Sequence, residues 1–185
     1  MQNEIDIING CLRKEKHAED LLYNQFAPMV YAICLRYAAN TDDAKDIFQE
    51  GFVKVYTQLH TYSQKGSFDG WVKRIFIHTA IDFCRKNKKI IFQTYEDKHD
   101  VSDEQNSIDP IDFSIEKLIS IINKLPDGYR LVFNLYAIEK FSHREIAEML
   151  SIAESTSKTQ LFKARKLLQK EITALQNYST NSHER

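Results

Sequence analysis

No apolar run in this chain approaches the ~20 residues that a membrane-spanning helix needs. The opening MQNEIDIING has neither the basic start nor the apolar stretch of a secretory signal. A cytoplasmic protein with no membrane insertion is therefore expected. Cysteine is sparse, and Cys11, Cys34 and Cys84 lie too far apart for a zinc site or a disulfide framework. They read as core thiols of a reducing compartment. His17, His60, His78, His99, His143 and His183 show no metal-ligand spacing, and neither a G-x-x-x-x-G-K loop nor a catalytic-triad signature is present. The expectation is no metal, no cofactor, no catalytic residue and no enzymatic activity. Excess charge is also missing: the formal net charge of −1 excludes a non-specific polycation. No segment carries a convincing strand pattern, and there are no repeats.

What is present is helical periodicity, with enough apolar residues (43%) for globular cores; 185 residues allow one large domain or two small ones. Charge is segregated along the chain. Residues 1–90 hold 13 Lys/Arg against 11 Asp/Glu, 91–112 one Lys against seven acids, and 113–185 11 Lys/Arg against eight acids. Two mildly basic blocks flanking an acidic, weakly hydrophobic stretch point to two DNA-facing domains and a linker. The expected fold is all-α: two small helical domains, 1–90 and 113–177, joined by a flexible acidic linker, 91–112, with a frayed tail at 178–185. Ile5, Ile8 and Leu12 mark a first stripe, and residues 18–38 a helix that Pro28 bends. Thr41 caps a third helix, with Asp42 and Asp43 in its first turn, that runs to about His60. A fourth starts near Phe68 and ends in the basic run Arg85 to Lys89. Ser114 caps the next, and Pro126 separates it from a helix over 127–138.

The most informative stretch is Ser142 to Leu168, SHREIAEMLSIAESTSKTQLFKARKLL. Ser142 and Glu145 form an S-x-x-E capping box. Ile146, Ala147 and Leu150 make an apolar stripe, Ser151-Ile152-Ala153 a turn with Ile152 as a buried plug, and Leu161, Ala164 and Leu168 the inward face of a second helix. Ser155, Thr156, Lys158, Thr159, Lys163 and Lys166 face outward. Between Ser155 and Lys170 there are five cations and no acid. Short hydroxyls and long cations at the start of such a helix suit a DNA major groove, so the C-terminal domain reads as a helix-turn-helix. The bland alternative is a helical hairpin with a solvated basic face.

Two further helices carry chemistry. The third places Asp43, Asp46 and Glu50 on one face, with Gln49 beside them. A solvated polar face, a carboxylate site or a docking face for a basic partner all fit, although no E-x-x-H pattern supports the second. The fourth, FDGWVKRIFIHTAIDFCRKNKK, interleaves Phe68, Trp71, Phe76 and Phe83 with Lys73, Arg74, Arg85, Lys86, Lys88 and Lys89. Phe76 and Phe83 read as core. Trp71, Arg74 and the basic end suit single-stranded nucleic acid, where bases stack and phosphates need neutralising.

With an acidic docking helix, an aromatic-basic helix and a helix-turn-helix in that order, the chain resembles the extracytoplasmic-function group of bacterial sigma-70 family RNA polymerase sigma factors. DDAKDIFQEGFVKVY, SFDGWVKRI and AIDFCRK carry the resemblance over about residues 18–89. LPDGYRLVFNLYAIE, EIAEML and KARKLL carry it over about 113–171. The resemblance implies a factor that directs promoter-specific initiation through core polymerase binding, −10 melting and −35 recognition. A stand-alone helix-turn-helix regulator is the alternative.

It implies that Asp43, Asp46, Gln49, Glu50 and Lys54 meet the polymerase clamp. The loop Ser63–Ser67 and the following helix would open and read the −10 element through Lys65, Ser67, Phe68, Trp71, Lys73, Arg74, His78, Arg85 and Lys86. Arg144, Ser155, Thr156, Lys158, Thr159, Lys163 and Lys166 would serve the −35 element. The linker would thread the polymerase cleft and mimic nucleic-acid charge. The implied partners are core RNA polymerase, promoter DNA and an anti-sigma factor. The chain departs from the usual residues at Ser151 (often Gly), Ser157 (usually Val), Gln160 (often Arg), Ala153 (a usual Ser cap) and His78 (often Asn). A shifted promoter preference, a different flipped base and capping by Ser155 or Thr156 are the corresponding expectations.

Overall fold

A computed structural model describes residues 4–87 and 115–181. Every element among them is helical, and the chain divides into two compact units, Met1–Lys89 and Ile90–Arg185. The expected linker at 91–112 and the Ser114 cap lie outside the described residues. No helix among them is long and apolar enough to cross a membrane.

The first unit contains α1 (Glu4–Leu12), α2 (Lys16–Tyr37), α3 (Thr41–Gln58), a 3-10 turn (Leu59–Thr61) and α4 (Phe68–Asn87). Leu22, Phe26, Val30 and Ile33 of α2 recur at three- and four-residue intervals and are buried against Ile47 and Val55 of α3 and Phe68, Val72, Phe76 and Ile81 of α4. Helices α3 and α4 approach closely because Gly51 has no side chain. A Cβ there would sit 2.3 Å from Cε1 of Phe76, whose ring packs edge-on to Phe52 at 5.3 Å. The Tyr56 hydroxyl donates to the Glu19 carbonyl at 2.9 Å and ties α3 to α2. All three cysteines are buried as free thiols. Burial pushes the Cys11 thiol up to about 11 and the Cys34 thiol up to about 12.

Two local expectations are corrected. The cap of α3 is Asn40, whose side chain accepts from the Asp43 amide at 2.8 Å; Thr41 is already helical. An Asn one residue earlier satisfies the same orphan amide. In α1 the inward face is Ile8, Gly10 and Cys11, whereas Ile5 and Leu12 are 48% and 47% exposed. A Cβ on Gly10 would lie 2.5 Å from that of Ala18, so the close crossing with α2 selects this face. Helix α2 is continuous through Pro28.

The second unit contains α5 (Ile115–Asn123), α6 (Asp127–Phe133), a π-turn (Asn134–Ile138), α7 (His143–Leu150) and α8 (Glu154–Asn181). Its helix runs on to Asn181, beyond the expected start of the tail at 178. Ile121, Leu125, Ala164 and Leu168 form one core, with Tyr129, Phe133 and Leu175 packed against it. Arg130 is buried, donating to Asp127 Oδ1 at 2.7 Å and to the Asn123 carbonyl at 3.2 Å. One charge-assisted fork thus fixes the turn between α5 and α6.

Candidate nucleic-acid and partner interface

Three surfaces collect the sequence-predicted residues. The first is the outer face of α3. Asp46 and Gln49 are exposed, and Asp43 and Glu50 half-buried. Val53 lies seven residues after Asp46 and three after Glu50, on the same face, and is 60% exposed. Sequence reasoning missed it; the signal was an apolar residue at helical spacing within the acidic face. Lys54, expected among the polymerase contacts, is instead engaged inside the unit. Its Nζ lies 3.0 Å from Glu50 Oε1 and 3.6 Å from Asp82 Oδ2, bridging α3 to α4. Asp42 pairs with Lys45 at 3.1 Å.

The second surface is the entry and outer stripe of α4. Gly66 has φ +114, and a Cβ there would meet nothing within 4 Å, so backbone conformation rather than space selects glycine. The Tyr62 hydroxyl donates to the Gly66 carbonyl at 2.8 Å and closes the loop. Ser67 caps the helix: its hydroxyl accepts from the Gly70 amide at 3.1 Å and its carbonyl from the Trp71 amide at 3.1 Å.

Phe68 is 1% exposed, packed edge-on to Phe26 at 5.4 Å and stacked under Trp71 at 5.6 Å. It therefore has no surface for DNA, contrary to expectation, and serves as the floor that holds the half-buried Trp71. Hydrophobic burial placed it, because a Phe at the first position of α4 falls on the inward stripe with Val72 and Phe76. Phe83 is also buried, as expected. Arg74, His78 and Asp82 follow at four-residue steps on the exposed side, with Lys73, Arg85 and Lys86 also exposed and Lys65 exposed in the loop. Burial and the nearby Arg74 guanidinium hold His78 below its ordinary value of 6.5, the Asp82 carboxylate pulling the other way and Lys54 reinforcing the fall.

The third surface is the helix-turn-helix. The capping box is present: Glu145 Oε2 accepts from the Ser142 amide at 2.8 Å, and Ser142 Oγ accepts from the Glu145 amide at 3.3 Å. Ser151 occupies the left-handed region, φ 56 and ψ 47, and the Ile152 amide donates to the Ala147 carbonyl at 3.0 Å. The turn thus adopts the glycine-favoured conformation without a glycine. Ile152 is half-buried rather than a buried plug. The turn is closed by these backbone bonds, so less side chain is needed beneath it.

Leu161, Ala164 and Leu168 face inward as expected, joined by Ser157 and Gln160. Ser155, Lys158 and Lys166 are exposed; Thr156, Thr159 and Lys163 are half-buried. Lys158 pairs with Glu154 at 2.9 Å and Arg144 with Glu148 at 3.4 Å, so both cations are partly offset within the unit. The Thr159 hydroxyl donates back to the Ser155 carbonyl at 3.0 Å. The Ala153 carbonyl accepts from the Ser157 amide at 3.1 Å, where α8 begins without a serine cap. Phe162, 47% exposed among these cations, was not singled out from sequence.

Two family models match the chain: Sigma-70 region 2 over residues 22–90 and Sigma-70, region 4 over residues 115–168. The extracytoplasmic-function sigma factor SigM of Bacillus subtilis is 28% identical over 165 residues, covering 88% of this chain and 97% of that protein. SigW of the same organism is 32% identical over 158 residues, covering 79% and 84%. Among solved structures, the sigma factor RpoE of Bartonella quintana, in complex with the anti-sigma factor NepR, has a TM-score of 0.53 at 20% identity. That likeness covers 83% of this chain and 96% of the other, and is one of fold.

Proposed function

This chain belongs to the sigma-70 family of RNA polymerase sigma factors, in its extracytoplasmic-function group, and on that premise we propose how its two units divide the work. As a sigma factor it binds core polymerase and promoter DNA and directs promoter-specific transcription initiation. In our reading residues 1–90 dock on the polymerase and open the −10 element, 113–177 read the −35 element, and 91–112 connect them through the polymerase cleft. The chain works in the cytoplasm, performs no catalysis itself, and is held in check by an anti-sigma factor, as the Bartonella complex exemplifies for its own sigma factor.

The observation that carries this division is the face of α3. Asp46, Gln49 and Glu50 surround the exposed Val53, an apolar centre with an acidic rim. Such a patch suits a basic helical partner: the rim steers and orients, and the valine supplies dry contact. Glu50 and Asp82 share Lys54, so the docking face and the promoter-facing helix are joined by one side chain. Asp43, Asp46, Gln49 and Glu50 are assigned to polymerase contact. Lys65, Trp71, Lys73, Arg74, His78, Arg85 and Lys86 are assigned to the −10 strand, and Ser67 to holding the loop that presents them. Arg144, Ser155, Thr156, Lys158, Thr159, Lys163 and Lys166 are assigned to the −35 element. A regulator acting without polymerase would leave the α3 face and the whole region 2 match without a use.

Reversing Asp46 and Glu50 to Lys is expected to abolish co-purification with core polymerase. Asp46 is exposed, so its reversal alone should shift stability by only about 0.5 kcal/mol. Glu50 is half-buried against Lys54, so Asp46→Lys alone carries the test if the double variant melts early. Pull-down with core enzyme, alongside thermal melting, checks this; undiminished binding would overturn the docking assignment.

A further inference from the structure

Ser157 is an anomaly. It is fully buried on the inward face of α8, in a position where an apolar side chain would cost less. Its Oγ lies 2.9 Å from Nδ1 of His143, the first residue of α7. The His143 ring is stacked on Tyr136 of the π-turn, centroids 4.5 Å apart and planes inclined by 21°. Above Tyr136 lies the Arg165 guanidinium, 5.7 Å from the ring centroid and again on α8. A relay of four side chains therefore leaves α8 at Ser157, passes through α7 and the π-turn, and returns to α8 at Arg165. The two anchor points are eight residues apart, about 12 Å along a helix. Two points separated along an axis fix both the tilt and the roll of that helix, which a sliding apolar contact alone does not.

The consequence concerns reading rather than holding. Thr156, Lys158 and Thr159 spring from the same turn of α8 as Ser157. Base edges in a major groove are distinguished by donor and acceptor positions a few ångströms apart, so the roll of this turn decides which edge each side chain reaches. A buried hydrogen bond adds little net stability over a well-packed apolar pair, but it admits far fewer geometries. We propose that His143 is a positioning residue for −35 recognition: without touching DNA, it sets the roll of α8 through Ser157 and thereby the base preference. The proposal rests on the reading of α8 as the −35 helix.

The test uses the full chain with core polymerase and a promoter panel carrying single base changes in the upstream element. His143→Phe keeps a flat ring for Tyr136 but loses Nδ1; Ser157→Ala loses the hydroxyl. Each is expected to change the ratio of affinities between matched and altered elements by up to about tenfold, and the double variant to change it no further. His143→Asn, whose amide places a hydrogen-bonding atom near the Nδ1 position, is expected to retain the original preference. It also provides the readout if Ser157→Ala folds poorly.

Affinities that fall equally for all elements, with or without a lowered melting temperature, would reduce His143 to a structural contact and overturn the proposal. So would an Asn variant that loses the preference as fully as Phe. Lys163→Ala separates the two layers. If it weakens upstream binding while the His143 and Ser157 variants leave base preference intact, only the positioning role falls. If it leaves upstream binding unchanged, the assignment of α8 falls and the positioning role with it.

Discussion

At the scale of single residues, His78 shows how a neighbourhood sets a charge. Arg74 precedes it by four residues and Asp82 follows by four, so both lie over it on one helix face; Lys54 approaches from α3. Partial burial and the two cations favour the neutral imidazole, and the carboxylate opposes them. At pH 7 and above His78 is then largely neutral, so on the proposed function it would offer one donor and one acceptor to a base rather than a further cation to phosphate. Following the His78 ring protons by NMR as pH is lowered is expected to give a midpoint below 6.5, the ordinary imidazole value. Arg74→Gln should raise that midpoint and Asp82→Asn lower it further. Because the folded value is depressed, the unfolded chain takes up the proton first, and this site lowers stability as pH falls through 6.5 and below. A midpoint that ignores both substitutions would mean that the charges around His78 are screened by water.

At the scale of elements, the proposed function gives α4 two parts, a capture site and a charge track. Strand opening needs groups that hold an unpaired base before it re-stacks. Trp71, supported from below by Phe68, stands at the entry of a helix whose later exposed positions carry Arg74, Arg85 and Lys86. Arg74→Ala and His78→Ala are expected to keep polymerase binding and upstream engagement and to lose open complex. Loss of a stacking contact of roughly 1–3 kcal/mol per base corresponds to about five- to 150-fold. A template premelted across the −10 element should restore most of the activity, since the opening cost is removed. Permanganate footprinting and run-off transcription check this; normal transcription from duplex promoters, or no rescue by the bubble, would refute the assignment.

Element by element, the sequence was legible wherever periodicity and capping agreed. The capping box of α7, the inward face of α8 and the start of α4 at Phe68 were all read from pattern alone. Where two candidates competed for one role, pattern could not decide. Asn40 and Thr41 are both good caps, and only backbone geometry at Asn40 chooses between them. Ile5 and Leu12 looked inward until the Gly10 crossing with Ala18 turned α1 the other way. Phe68 was legible as an aromatic beside cations, which describes a base-stacking residue and a core floor equally well. The His143–Ser157 contact joins residues 14 apart through a turn, and no local pattern encodes it.

At the scale of the whole molecule, charge alternates along the sequence, and on the proposed function that alternation would act against misplaced binding. Two blocks that each carry net positive charge would together make an avid, sequence-blind DNA ligand. Seven acids in residues 91–112 bring the formal total to −1. On the proposed function, this near-neutrality would leave strong DNA binding to the polymerase-bound form, in which basic surfaces of the partner would engage the acidic groups. Replacing those seven carboxylates by their amides, in the otherwise intact chain, takes the formal net charge from −1 to +6. The free variant is expected to bind random duplex DNA markedly more tightly at low salt. Its affinity should fall steeply with salt, at about one unit of logarithmic slope for each additional phosphate neutralised. With polymerase, the same variant should lose discrimination between promoter and random DNA more than it loses total binding, because a sequence-independent term has been added to both. Filter binding across a salt series, with and without core enzyme, measures each quantity. A free variant whose salt slope matches that of the parent chain would show that these acids do not restrain the basic blocks.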